Sequence, residues 1–192
     1  MTLEVQKKPA SRGKPRPKPT PTRPNQWWGI DMTKFMVENV GWVYLVGIID
    51  WYSRKVVGYA IDTHCRTELW ISALEMAVSN EFPYGSREHD LSLMSDNGSQ
   101  PTSKKFINIT GLLGIKQVFT SYNNPKGNAN TERWFRTCKE DCIWINEWDS
   151  LKEARDALKN YVEFYNNDYV HSALNYTSPN EFLSKYYLNN AA

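Results

Sequence analysis

The stretch Trp42-Val43-Tyr44-Leu45-Val46-Gly47-Ile48-Ile49 is apolar almost without interruption. A run of strand length with no polar alternation needs cover on both faces, so it belongs in the middle of a sheet. Before it, Trp28, Ile30 and Met32 alternate with Gly29, Asp31 and Thr33. That period of two predicts a strand starting near Gln26, with Asp31 on the face opposite the large apolar residues. After it, Asp50-Trp51-Tyr52-Ser53-Arg54 reads as a turn and Lys55 to Ile61 as a returning strand. The first third of the ordered chain is therefore a three-stranded meander.

The rest alternates helix and strand. Thr67 is placed to cap a helix reaching about Ser79, with Leu69, Ala73, Met76 and Ala77 on one face. Asn80 to His89 is polar, broken by Pro83 and Gly85, and reads as a loop. Leu91 to Ser95 is a short fourth strand that delivers Asp96 at its carboxyl end, where open α/β sheets bind ligands. Pro101 suits the first turn of a helix ending at Gly114, and Ile115 to Thr120 makes a fifth strand. Tyr122 to Gly127 is a loop by its turn residues. In the helix that follows, Glu132, Arg136 and Lys139 share one face at i, i+4 and i+7. Ser150-Leu151-Lys152-Glu153 is a capping box. It opens a helix whose stripe of Leu151, Ala154, Leu158, Tyr161, Val162 and Tyr165 runs to about Asn166. His171 to Leu183 reads as a packed extension and a short helix.

Charge divides the chain. Residues 1–24 carry seven of the 23 bases, one of the 21 acids and six of the ten prolines, which leaves the remainder net acidic by four. A basic Pro-x-Pro segment favours extended conformations over a packed core. Residues 1–25 are thus expected to form an arm, 26–186 a core and 187–192 a tail. The arm either neutralises nucleic-acid phosphates or links to an upstream domain. At 192 residues with 41% hydrophobic content, the chain can bury one sizeable core. It has no apolar run of membrane-spanning length and its start lacks a signal peptide's apolar segment. Cys65, Cys138 and Cys142 are too few for a disulfide framework. The expectation is a soluble intracellular protein.

Three acids carry the chemistry, if they meet: Asp31, Asp96 and Glu132, the last two separated by 35 residues. Hard divalent cations take oxygen ligands, usually one or two carboxylates plus water and substrate phosphate oxygens. Two such ions can clamp the attacking and leaving oxygens of an in-line phosphoryl displacement. Gly98 lets the chain turn sharply after Asp96 without burying the acid. Scattered acids are otherwise solvated surface charges, and a Glu132–Arg136 pair would be an ordinary intrahelical one. Asp50 is read as a turn acid near the site, and Asp62 as capping or solvated. Cys138 and Cys142, one turn apart without a second ligand pair, are core residues rather than zinc ligands. His171 is either a general base or, preferably, a structural or DNA-adjacent residue.

Five features in order carry a resemblance: Trp28-x-x-Asp31-Met32-Thr33; Ile49-Asp50-x-x-Ser53-Arg54-x-Val56-Val57-Gly58; Ser95-Asp96-Asn97-Gly98-Ser99; Asn128-Ala129-x-x-Glu132-x-x-Phe135 with Lys139; and Tyr165-Asn166, His171-Ser172-Ala173-Leu174 and Pro179-x-x-Phe182. Together they make the chain similar to the catalytic core of bacterial insertion-sequence transposases of the DDE, retroviral-integrase type. The resemblance implies an α/β, ribonuclease H-like fold with a mixed five-stranded sheet and flanking helices. It implies Asp31, Asp96 and Glu132 as ligands of two Mg²⁺ or Mn²⁺ ions, acting in cleavage at DNA 3′ ends and strand transfer. Arg136 and Lys139, with Lys126 in the preceding loop, fall where DNA contacts are expected. Implied partners are element ends, target DNA and further copies of the chain on DNA, in a bacterial, nucleoid-associated cytoplasmic setting. Tyr169 stands where many relatives have Arg, and Arg133-Trp134 replaces a small or polar residue before an aromatic one. Relatives carry an upstream helix-turn-helix domain, so the chain is expected to be a fragment, a second reading frame or a degenerate copy. A nuclease of the same fold and a non-catalytic DNA-binding remnant are the other readings.

Overall fold

Both faces of the central apolar run are covered, as its composition demands. In the computed structural model, which describes residues 19–120 and 127–191, the run forms β2 (Gly41–Asp50). It pairs antiparallel with β1 (Trp27–Val37) on one side and β3 (Val56–Asp62) on the other. Two short strands, β4 (Ser92–Ser95) and β5 (Lys116–Phe119), continue the sheet beyond β1 in parallel pairings. The order is β3-β2-β1-β4-β5, the expected mixed five-stranded sheet. Crossovers supply the helices: α1 (Thr67–Glu81) between β3 and β4, and α2 (Lys104–Leu112) between β4 and β5. Then follow α3 (Ala129–Cys138), α4 (Leu151–Asn167) and α5 (Pro179–Asn189).

Alternation along β1 and β2 splits the core in two. Trp28, Ile30, Val46 and Ile48 pack with Trp70, Leu74 and Ala77 of α1 and Phe106 of α2. Phe35, Val37, Val43 and Leu45 pack on the other face with Trp134 and Phe135 of α3 and Leu158, Val162 and Tyr165 of α4. The predicted stripe of α4 is therefore the buried one. Cys138 and Cys142 lie inside this second core, which pushes both thiols up, Cys142 to about 11.

Several local expectations shift. Thr67 is the first residue of α1, not its cap; Arg66 precedes it without a side-chain capping bond, and the Thr67 hydroxyl donates to Ser103 Oγ at 3.3 Å. Met76 turns away from the buried face and its sulfur accepts the Tyr59 N–H. Helix α1 reaches Glu81 because a buried Phe82 closes it. Pro101 sits in a turn before α2, whose first turn is capped instead by Ser103 Oγ accepting from Phe106 N–H at 3.2 Å. Gly114, at φ +70°, ends that helix in the left-handed region glycine tolerates. The Ser150 box caps α4 through the Glu153 N–H, but the Glu153 carboxylate accepts from Asp149 N–H rather than from Ser150. The chain is tied down before Gln26, since Asn25 donates its N–H to Asp50 and its side-chain amide to Glu81.

Helix α3 sits on two glycines. A Cβ on Gly29 would collide with Thr131 Oγ1, Trp51 Nε1 and Asn128 Oδ1, and one on Gly47 with the Trp134 ring. Gly29→Ala should therefore cost about 1–3 kcal/mol by forcing α3 off the sheet. Urea unfolding measures it, and a variant as stable as the native chain would mean that α3 does not dock this closely.

Candidate active site

The sheet register brings the first two acids together. In the parallel β1–β4 pairing Gly29 stands opposite Met94, and two residues further along each strand come Asp31 and Asp96. Asp31 is half-buried, and its Oδ1 accepts the Met32 N–H at 2.8 Å. Asp96, just past the end of β4, is exposed and folds back on its own turn, with Oδ1 accepting the Gly98 N–H at 2.9 Å. The neighbouring Asn97 side chain ties this turn to β5 through the Thr120 carbonyl at 2.9 Å.

The third acid arrives on α3. Asn128 donates its side-chain amide to the Ile30 carbonyl at 3.2 Å, and buried Thr131 accepts the Trp51 indole N–H at 3.1 Å. Both bonds anchor the first turn of α3 beside Asp31, and Glu132 is the next residue, exposed. Trp134 then fills the hollow at Gly47, which is the cross-strand partner of Asp31.

Electrostatics record the proximity. The Asp31 carboxyl is pushed up to about 6: burial is the main cause, the Met32 N–H opposes it, Asp96 and Glu132 add to it as like charges, and Lys139 partly offsets them. Among the described residues, no group of three or more His, Cys, Asp or Glu side chains converges closely enough to hold a metal ion. The three carboxylates act on one another as like charges, and Asp31 and Asp96 each have one oxygen engaged by a nearby backbone N–H. A hard cation taking one or two carboxylates with water and substrate oxygens fits this all-oxygen set.

Likeness to known proteins supplies the family. The integrase core domain family matches residues 21–125, and a second integrase core domain pattern matches residues 113–179. The chain belongs to the integrase core domain family. Its relatives include the putative transposase InsK of insertion element IS150 from Escherichia coli, 31% identical over 87% of this chain and 57% of that protein. A 31 kDa protein of IS600 from Shigella sonnei is 33% identical over 87% of this chain and 60% of its own length. The transposase of IS904 from Lactococcus lactis is 31% identical over 84% and 62%. The chain thus spans about three fifths of these relatives. Among solved structures, the simian T-cell lymphotropic virus intasome in complex with a PP2A regulatory subunit covers 80% of the chain and 52% of its own at TM-score 0.65 and 20% identity. The HTLV-2 integrase catalytic core domain, solved with magnesium in a trimeric form, covers 84% and 97% at TM-score 0.61 and 17% identity. These likenesses place the fold as ribonuclease H-like.

Within this integrase core, the remaining expected residues separate. Arg136 is exposed and pairs with Glu140 at 2.8 Å, not with Glu132. Lys139 is half-buried where α3 widens into a π turn (Lys139–Ile143), with Trp144 N–H bonding back to its carbonyl. Lys126 lies outside the described residues. Asp50 is fully buried in its turn, accepting from the Ser53 hydroxyl at 2.6 Å and from two backbone N–H groups. At the end of β3 the Asp62 carboxylate accepts from the Thr63 N–H and hydroxyl, as a local capping acid. His171 is packed against Tyr165 and Tyr169 with its Nε2 buried and without a hydrogen-bond partner among the described residues. Reasoning from the acids overlooked Thr131 and the two glycines. The signal was present, since a glycine inside an apolar strand marks a close backbone approach.

The raised Asp31 value has a consequence for stability. Its ordinary value is 3.8, so the folded state binds this proton more tightly than the unfolded chain. Stability from this group is present below the lower value and falls as pH rises through about 6. In chelator, Asp31→Asn should therefore be more stable than the native chain near neutral pH, on the order of 1–2 kcal/mol, and nearly equal to it at about pH 4. Denaturation at the two pH values decides it, and a variant less stable at neutral pH would contradict the assignment.

Proposed function

We propose that the chain is a DDE-type transposase catalytic domain that cleaves DNA at 3′ ends and transfers strands. The observation that supports this reading is that Asp96 and Glu132 both act as like charges on Asp31, with Asp31 and Asp96 two residues beyond the paired Gly29 and Met94 of parallel strands. In the reaction, water attacks the phosphorus at an element end, the P–O bond to the 3′ oxygen breaks, and a 3′-hydroxyl is freed. That hydroxyl then attacks a second phosphodiester, and the displaced 3′ oxygen leaves with the proton. Each step exchanges one phosphodiester bond for another or for water, with no covalent link to the protein.

Asp31, Asp96 and Glu132 are the residues that would hold Mg²⁺ or Mn²⁺, two ions in all, which supply Lewis-acid activation and offset charge on the pentacovalent phosphorus. The chain's own residues do the rest. The Met32 and Gly98 N–H groups fix one oxygen of each aspartate and leave the other free. Lys139 adds positive potential where phosphate approaches, and Arg136 can reach a backbone phosphate only by giving up Glu140. Backbone contacts of this kind position DNA without reading its sequence. Lys126 and the bases of residues 1–25 are further candidate phosphate contacts by their charge alone. Synapsis of two element ends calls for at least a dimer on DNA, and a helix-turn-helix domain or protein upstream would find the ends.

The test is metal-dependent cleavage and joining of labelled DNA by the native chain, by Asp96→Asn and by Glu132→Gln. Both variants should lose at least about a thousandfold in rate while still binding DNA. Joined products separate a transposase from a plain nuclease of the same fold. Activity that survives both substitutions would remove these carboxylates from the chemistry.

A further inference from the structure

A second charged site lies on the other flank of α3. Residues of a helix that share a flank recur at three and four positions, so Asn130, Arg133 and Thr137 face one way while Glu132 and Lys139 face another. The first group lines a cleft of about 240 Å³ together with Arg54, Tyr169, His171 and neighbouring backbone. No carboxylate lines it.

Its walls contain polar groups that the fold leaves without partners. Arg54 Nη1 and His171 Nε2 are both buried and lack any hydrogen-bond partner among the described residues. Arg54 takes part in no ion pair among those residues. Burial and the adjacent Arg133 disfavour its charge, while Tyr165 and Asp50 favour it. Burial, and after it Arg54, disfavours protonation of His171, so Arg54 has a basic neighbour in both His171 and Arg133. Arg54 as a whole is half-buried, and a guanidinium nitrogen removed from water without a partner costs free energy. The backbone adds to this: Arg54 sits at φ +64°, a left-handed conformation that glycine would adopt more readily. An arginine with a left-handed backbone and a buried, unpartnered Nη1 is costly unless a ligand completes it.

We propose that this cleft binds one backbone phosphate of the DNA strand that crosses α3 from the carboxylate side. The inference rests on the DNA-processing reading above and adds to it a phosphate site away from the reacting centre. A phosphate presents several acceptor oxygens to the planar fork of Arg54, with Arg133 and the His171 N–H beside it. Thr137, Asn130 and Ser172 offer neutral donors around the rim. A helix with its side chains is about 10–12 Å across, so the phosphate held here is a different one from that at the carboxylates, further along the strand. The cleft would then set the angle at which the strand leaves the site.

Arg54→Gly tests this directly, because it removes the guanidinium and relieves the backbone. The measurement is anisotropy of a labelled DNA duplex over a salt series, alongside thermal unfolding. The variant should fold at least as stably as the native chain, bind roughly tenfold more weakly, and show a salt slope shallower by about 0.9, one phosphate contact. Lys159→Gln, which removes the same charge from the exposed side of α4, should leave affinity within about twofold of native, since it touches no phosphate. An equal drop in Lys159→Gln would make the effect one of net charge and overturn the cleft. If Arg54→Gly does not fold, Thr137→Asp carries the test, since a carboxylate placed in the cleft must weaken binding to a similar degree. A native chain that cleaves and binds DNA, with Arg54→Gly or Thr137→Asp equal to it in affinity and slope, overturns the cleft alone. A native chain that binds no DNA overturns both the cleft and the DNA reading.

Discussion

The site depends on how closely α3 approaches the sheet. Glycines at 29 and 47 remove two side chains from the surface of β1 and β2, and Thr131 and Trp134 occupy the space. Without that approach, Glu132 would stand a side chain's thickness further from Asp31, and the anchors from Asn128 to Ile30 and from Trp51 to Thr131 could not form. The same contact buries Trp134 and Phe135 in the core shared with α4. Packing and site geometry are therefore one constraint, met by a pair of missing Cβ atoms.

The parallel register of β1 and β4 is the other half of the construction. A parallel neighbour needs a crossover, and here α1 with its following loop supplies it between β3 and β4. The crossover brings β4 alongside β1 with both carboxyl ends pointing the same way, so the residues just beyond the short β4 face the middle of the longer β1. Asp96 stands level with Asp31 because β4 stops at Ser95 while β1 runs on past it. The turn through Gly98 and the Asn97 bond to Thr120 then hold Asp96 at the sheet's edge rather than letting it follow α2.

Much of this was legible in the residues for a physical reason: period and turn chemistry are local. The alternation around Asp31, the apolar run of β2 and the stripe of α4 each determine an element without reference to the rest of the chain. The three acids could be nominated because an oxygen-ligand site needs particular residue types. What the sequence concealed was competition among neighbours. Thr67 reads as the cap of its helix and Pro101 as the first turn of the next, yet Thr67 caps nothing, and Ser103 caps the second helix while receiving the Thr67 hydroxyl. Arg136 has acids at i−4 and i+4, and it pairs with Glu140. Arg54 read as a turn residue, since nothing in its surroundings along the chain announces that Arg133 and His171 will close over it.

Opposite flanks of α3 thus hold unneutralised charge of opposite sign. On one, Asp31 is desolvated beside two like charges, with Lys139 as a partial offset. On the other, Arg54 is desolvated beside Arg133 with no ion-pair partner among the described residues. The two clusters do not cancel each other, because the buried side of the helix between them is filled by Thr131, Trp134, Phe135 and Cys138. A fold selected for stability alone would pair such charges or replace them with apolar residues, which is often neutral or stabilising. Keeping both open lowers the stability of the free protein and raises its affinity for a ligand that brings cation and phosphate together. The substrate proposed above, a DNA strand with bound divalent cations, would have that composition, with divalent charge for the acidic flank and phosphate for the basic one. The core that α3 shares with α4 holds the helix in place between these two flanks.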